Sequence, residues 1–364
     1  MALTNFAALT NEEKTAWSMD MWKHARNNSF MNQFTGSGSN AMIQRITELT
    51  KTQKGARAVI TLLADLEGDG IVGDRTLEGN EEALKSYEQV IRIDQMRHAN
   101  RHEGRLADQK SIINFREMSR DTLAYWLADR LDQLAFLTLS GVTYAQNTDG
   151  TARVGSDFPF LEFAADVAAL TDLRRLQWDV DTANTLKTAG ATSDLVAADV
   201  ISWETLVRMK EYAKTNFIRG IKPQGGLDEL FHVFMTPRCM ANLKLDDAYN
   251  LNLRHTNSKE NAKLFNGGVA TVDGLVLHEY RHVYHSDAWG SGAVKGTQVL
   301  MCGAQAMGFA DIGTPEWVEK KFDYDNQPGI SVQKMVGFLK PRFNSIYAGN
   351  TVQDHGLLSC YVAD

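Results

Sequence analysis

Cysteine is scarce: Cys239, Cys302 and Cys360 are the 3 thiols of a 364-residue chain, and no two have the spacing of a zinc knuckle or a redox pair. They read as buried thiols of a reducing compartment. Cys360 follows Asp354 and His355 closely, but a nucleophile and its partners meet in space rather than along the chain, so no catalytic group is assigned there. A surplus of positive charge is missing as well. Lys and Arg number 38 against 45 Asp and Glu, a formal net charge of −7, which excludes a generally basic nucleic-acid binder. No apolar run approaches the roughly 18 residues of a membrane span. The opening MALTNFAALTNEEK, with Glu12 and Glu13 arriving early, lacks the basic and apolar regions of a secretory signal. A soluble chain made in a cytoplasm is the expectation. Phosphate-binding glycine loops are absent, and so is a Gly-x-Ser-x-Gly elbow before a helix, since Gly36-Ser37-Gly38-Ser39 reads as a flexible stretch.

What is present is ordinary globular material, 43% apolar and 23% charged, in a length that suits two interlocked domains or one elaborated domain. Thr10-Asn11-Glu12-Glu13 reads as a capping box. It opens a short helix with Trp17, Met21 and Ala25 on one face and Trp22 beside them. A glycine- and serine-rich stretch follows, so this helix must pack on the body of its own chain or on a neighbour. Residues 56–66 and 84–96 read as strands, with Ile91 and Ile93 alternating with Arg92 and Asp94. Between them lies an acidic, glycine-rich tip at 67–74, which predicts a long hairpin projecting beyond its own core. Leu123, Leu127, Leu131 and Leu134 recur at three- and four-residue steps, and Gly141 supplies a stop. A helix over 112–140 would be a rod of roughly 43 Å at ~1.5 Å per residue, its apolar face widened by Trp126, Phe136 and Leu137. A second helix is predicted at 202–214, and Pro223-Gln224-Gly225-Gly226 marks a boundary. Phe231–Met235 reads as a buried strand, and Thr236-Pro237 as a helix cap followed by proline at the first helical position. Residues 269–308 read as mostly strands, and 331–343 as an antiparallel strand. There is no internal repeat.

Two motifs look like metal sites. His278-Glu279-Tyr280-Arg281-His282 matches the zinc-peptidase pattern, in which two histidines one helical turn apart hold the metal and the glutamate activates water. Glu316 or Glu319 would be the third ligand. The match sits between Gly274-Leu275-Val276-Leu277 and Val283-Tyr284, however, and reads as a strand. There, residues four apart lie roughly 13 Å apart at ~3.3 Å per residue, too far for one ion. The second motif, Asp65-Leu66-Glu67-Gly68-Asp69-Gly70-Ile71-Val72, begins like a calcium loop, but the twelfth position, Thr76, cannot supply the bidentate carboxylate. His278, Glu279 and His282, and likewise Asp65, Glu67 and Asp69, are therefore read as decoys. Arg97, His98, Arg101, His102 and Arg105 form a basic cluster, read as a solvated face or as interchain salt-bridge partners. No enzyme mechanism, metal or cofactor is assigned.

A short amino-terminal arm, a projecting hairpin and a long helix make sense if neighbouring copies supply the missing packing. The chain also resembles the major capsid proteins of tailed phages of the coliphage N-four group, which have the Hong Kong 97-type coat fold. The resemblance rests on Gly38-Ser39-Asn40-Ala41-Met42-Ile43-Gln44, on Gly68-Asp69-Gly70 through Gly73-Asp74 to Leu77-Glu78-Gly79-Asn80-Glu81-Glu82-Ala83-Leu84, and on Val272-Asp273-Gly274-Leu275-Val276. Gly303-Ala304-Gln305-Ala306-Met307-Gly308 and Phe322-Asp323-Tyr324 extend it across nearly the whole chain. It implies an α+β fold with an N-terminal arm at 1–54, an extended hairpin loop at 55–107 lying over the adjacent subunit, and a peripheral domain with a spine helix at 108–225. An axial domain at 226–330 and a return to the periphery at 331–364 complete it.

The implied function is a shell of pentamers and hexamers around double-stranded DNA. The short arm leaves no room for a removable scaffold domain, so a separate scaffolding protein is expected, together with a portal, packaged DNA bound without sequence specificity, and an optional decoration protein. Expected contacts between subunits are Trp17, Trp22, Glu67, Asp69, Asp74, Glu78, Glu81, Glu82, Arg97 and Arg101. The alternatives are a cellular nanocompartment shell on the same fold and the zinc hydrolase.

Overall fold

The computed structural model describes residues 11–47, 57–63, 70–79, 81–82, 86–106, 115–181, 184–223, 228–255, 270–290, 292–345 and 348–364. Helix α1 (Asn11–Asn28) buries Ser18, Met21 and Ala25, a stripe at three- and four-residue steps. Helix α2 (Phe115–Ser140) is the predicted rod, and the residues ahead of it, 107–114, lie outside the described ones. Its leucine ladder is buried, and Gly141 ends it at φ +68°, where a side chain would collide with the backbone of Ala168 and Ala169.

The rod lies between two sheets. On one side is a five-stranded sheet in the order β1 (Thr35–Gly36), β2 (Ile43–Ile46), β13 (Met307–Phe322), β14 (Gln327–Leu339) and β5 (Asp94–Arg101). On the other is an eight-stranded sheet in the order β7 (Thr185–Thr188), β6 (Arg175–Asp179), β17 (Leu357–Ala363), β12 (Val294–Cys302), β8 (Phe231–Met235), β10 (Leu275–Glu279) and β9 (Ala270–Val272), with β11 (His285–Trp289) also paired to β12. Leu134, Phe136, Val332, Phe338, Phe234 and Leu300 share one core between helix and sheets. A second core, with Leu206, Met209, Val233, Met235, Met301 and Leu358, covers the far face of the eight-stranded sheet. Being buried on both faces is why β8 and residues 299–302 of β12 read as largely apolar runs rather than alternating ones.

Helix α3 (Trp203–Thr215) covers that far face and starts on a full capping box made by Ser202 and Thr205. Thr236 caps α4 (Pro237–Leu245) by accepting from the Cys239 N–H, as the sequence predicts, and α5 (Asp247–His255) follows. The hairpin is β3 (Arg57–Leu63) against β4 (Ser86–Arg92), and a third small pair joins β15 (Arg342–Ser345) to β16 (Thr351–Asp354). The strand predicted at 331–343 is two strands, because Pro341 has no N–H for the ladder.

The eight-stranded sheet takes strands from 175–188, and the C-terminal β17 lies within it between β6 and β12. β13, which falls wholly inside 226–330, pairs with β14 and β2 in the five-stranded sheet.

Candidate assembly surfaces and the histidine segment

The histidine segment is a strand only as far as Glu279, and Tyr280 to Val283 form a turn. Helix α2 pulls the chain out of the ladder. Asp129 takes His282 Nε2 at 2.7 Å and Arg281 at 2.9 Å, while Asp132 accepts from the Tyr280 hydroxyl at 2.7 Å. His278 points elsewhere, its Nε2 2.8 Å from His232 Nδ1 inside a ring of Phe30, Phe34 and Phe234. Burial and the neighbouring His232 hold His278 down at about 4, and burial lowers His282 against the opposing pull of Asp129. Glu279 pairs with Lys244, Glu319 with Arg116, and Glu316 accepts from Gln333. The two histidines thus have separate partners. Among the described residues no group of three or more His, Cys, Asp or Glu side chains is placed to hold a metal ion. Asp65, Glu67 and Asp69 lie outside the described residues.

All three cysteines are buried and free, and burial raises each thiol, which disfavours the nucleophilic thiolate. Asp354, the imagined helper of Cys360, is committed to Lys340 at 3.1 Å and Arg342 at 2.8 Å.

The residues expected at contacts between copies fall into four groups. Asp74, Glu78, Glu81 and Glu82 are exposed on the loop beyond β3 and β4, beside Val72 (82% exposed) and Leu77 (60% exposed). Glu81 accepts from the Gly79 N–H at 2.7 Å. Trp22 is half-buried: one side packs against the main core of its own chain, with the Lys334 ammonium 4.4 Å above its ring. The side chain of Trp17, like Glu67 and Asp69, lies outside the described residues. In the basic cluster Arg97, His98, Arg101 and Arg105 are all exposed; Arg101 also sits 4.5 Å over Phe322 and donates to Gln327, and His98 stacks on Trp126 at 4.6 Å. A groove of about 860 Å³ opens between α1 and β13, lined by Met19, Trp22, Lys23, Arg26, Arg45 and Asp311 among others.

Sequence reasoning missed the buried polar residues that fix these surfaces. Asp132 accepts from the Ser29 hydroxyl, the Phe30 and Met31 N–H groups and Tyr280, tying the end of α1 and the histidine turn to α2. Its carboxyl is raised by burial, against the lowering pull of those donors. The visible signal was a carboxylate beside Leu131 and Leu134 on the apolar ladder. Asp311 holds both Arg45 and the fully buried Lys334.

The sequence and the fold have counterparts among known proteins. A family model described as phage capsid protein matches residues 5–363. The "Major capsid protein" of Pseudomonas phage KPP25 is 58% identical over 368 residues, covering 99% of this chain and 97% of that protein. Among solved structures, the capsid of Ralstonia phage GP4 is similar with a TM-score of 0.76 and 25% identity, over 92% of this chain and 91% of that one. The capsid asymmetric unit of cyanophage Pam1 has a TM-score of 0.70 at 17% identity, with 92% of each chain covered. The chain belongs to the phage capsid protein family. Its fold is the α+β Hong Kong 97-type coat fold that the resemblance implied.

Proposed function

We propose that this chain is a major capsid protein, the subunit of an icosahedral shell around the genome of a tailed phage. The observation that carries the reading is end-to-end identity of 58% with a major capsid protein, on a fold shared with phage capsids. Copies associate as pentamers and hexamers, and the virion is where the chain resides. The eight-stranded sheet corresponds to the axial domain, while α2 with the five-stranded sheet forms the peripheral domain. A separate scaffolding protein and a portal act during assembly, a decoration protein is optional, and DNA is enclosed without sequence-specific contacts. The net charge of −7 suits enclosure, because a wall without a cationic surplus does not trap DNA by counterion release.

The contact between neighbours runs through the loop at 70–82. It offers exposed Val72 and Leu77 flanked by Asp74, Glu78 and Glu81, and a second copy offers the groove with Met19, Trp22, Lys23, Arg26 and Arg45. Opposite charge selects the register and the apolar pairs supply the adhesion. Sedimentation velocity tests this. Wild-type chain co-expressed with its neighbouring genes should sediment as shells. Lys23→Glu with Arg26→Glu should abolish them, and adding Glu78→Lys with Glu81→Lys should bring them back. Normal shells from the first double variant would refute the groove contact, and absence of any large assembly from wild-type chain would refute the capsid reading.

A further inference from the structure

The long hairpin of β13 and β14 ends in a turn that its residues do not favour. Asp323, Tyr324 and Asp325 follow one another at φ +50°, +47° and +72°. Aspartate tolerates this left-handed region, whereas a tyrosine there is strained. The turn is nevertheless fixed from several sides. The Asn326 N–H donates to the Asp323 carbonyl at 2.9 Å, and Lys321 pairs with Asp325 at 2.9 Å. The chain leaving β5 braces it from outside. The His102 N–H donates to the Pro328 carbonyl at 2.9 Å, Gln327 Nε2 to the Glu103 carbonyl at 2.9 Å, and the Arg105 N–H to Asn326 Oδ1 at 3.3 Å. Tyr324 gains nothing from this bracing, because its side chain is fully exposed. Strain held in place by its surroundings is a mark of functional positions, and a rigidly presented aromatic is a low-cost anchor for an interface.

Beside the turn, the outward face of the five-stranded sheet carries the opposite charge. Cross-strand pairing sets Arg101, Gly329 and Lys320 in one row, Ala99, Ser331 and Val318 in the next, and Arg97, Gln333 and Glu316 in a third. Phe322 lies across Gly329, where a Cβ would come within 2.9 Å of the ring. Arg101 stands 4.5 Å and Lys320 5.1 Å from the centre of that ring. Arg97, Arg101 and Lys320 are exposed and, among the described residues, form no ion pair, while Glu316 is held by Gln333. Ala99 and Val318 are exposed between the cationic rows, so the face is a basic shelf with an apolar step.

We propose that the turn at 323–325 of one copy docks on this shelf of a second copy. The Tyr324 ring seats against Ala99, Val318 and the Arg101 guanidinium, and the Asp323 carboxylate faces the unpaired cations. The occupant follows from charge: Asp325 is committed to Lys321, whereas Asp323 accepts only from Asn326 at 3.3 Å and keeps its charge free for a partner. The contact is head-to-tail, with a different patch on each side, so every copy in a shell can give a turn and receive one. It rests on the capsid reading and uses a surface separate from the 70–82 loop and its groove.

The test places the photoreactive residue p-benzoylphenylalanine at position 324 of the full chain, co-expressed with its neighbouring genes. Irradiated shells should yield covalent species larger than one chain on a denaturing gel, with the cross-linked peptide mapping to 94–101 or 316–322. Arg101→Glu with Lys320→Glu should remove most of that product. Tyr324→Gly gives the second readout. Glycine is at ease at φ +47°, so the Tm of the unassembled chain should hold or rise, while the yield of shells falls at least fivefold. Shells that form normally but cross-link only within a chain, or to other segments, would overturn this contact and leave the capsid reading standing. A Tyr324→Gly chain that loses Tm and shells together would make the residue a structural one and overturn it as well. A wild-type chain that forms no large assembly would overturn both readings.

Discussion

Lys334 is 0% exposed at its side chain, and its ammonium is shared by Asp311, the carbonyls of Ile312 and Gly313 and the face of Trp22. Removing one member of such a buried set leaves the other charge stranded. Lys334→Met should therefore cost about 3–5 kcal/mol in urea unfolding, and adding Asp311→Leu should recover little of it, because that change strands Arg45. His278 gives a pH test. Its folded pKa is about 4 against an ordinary 6.5, so its neutral-state stabilisation is complete above pH 6.5 and is lost as pH falls toward 4. Between pH 7.5 and pH 4.5 the wild type should lose roughly 2 kcal/mol more than His278→Phe, which keeps an aromatic ring in the same cage. Equal losses in the two proteins would show that the histidine pair is not the acid-sensitive contact. None of this was legible in the sequence. Lys334 stands in an alternating strand and reads as a solvent-facing residue, and the partners of His278 come from segments tens to hundreds of residues away.

The hairpin of β3 and β4 shows how an element is aimed. Ile60 and Ile91 are buried at its base, and they meet the five-stranded sheet at Gly308 and Gly337. A side chain at Gly308 would strike Ile60, and one at Gly337 would strike Ile91 and the Arg92 carbonyl. The hairpin can lie flat only because both positions lack a Cβ. Gly337→Ala should cost about 1–3 kcal/mol by overpacking and should lift the hairpin, which limited proteolysis in the 70–82 loop would report as faster cleavage. Here the sequence was readable in part. Alternation of Ile91 and Ile93 with charged neighbours announced the strand, and the Gly303 to Gly308 run stood out as a motif. Its purpose did not, because the residue that excludes a side chain at Gly308 lies on a different segment. Helix α1 was read correctly as needing a partner. The choice between its own chain and a neighbour was decided by Asp132, whose four donors come from two separate places in the chain, residues 29–31 and Tyr280.

At the scale of the molecule, two sheets on either side of one spine bury one face of α1 and the base of the hairpin but leave the loop beyond β3 and β4 and the groove beside α1 open. Helix α2 was legible because its leucine spacing is local information. The way β17 crosses into the eight-stranded sheet was not, since strand order is settled by packing among distant segments. For the histidine segment the spacing was read on a strand through His282, and the turn after Glu279, set by contacts with α2, was not legible. The central claim is that the exposed parts are built for copies of the same chain. It is tested most directly by electron microscopy of the purified chain expressed with its neighbouring genes. The account predicts closed shells resolving into rings of five and six subunits, each loop at 70–82 lying on an adjacent copy. A homogeneous monomer under every condition, with the loop folded back on its own chain, would contradict it.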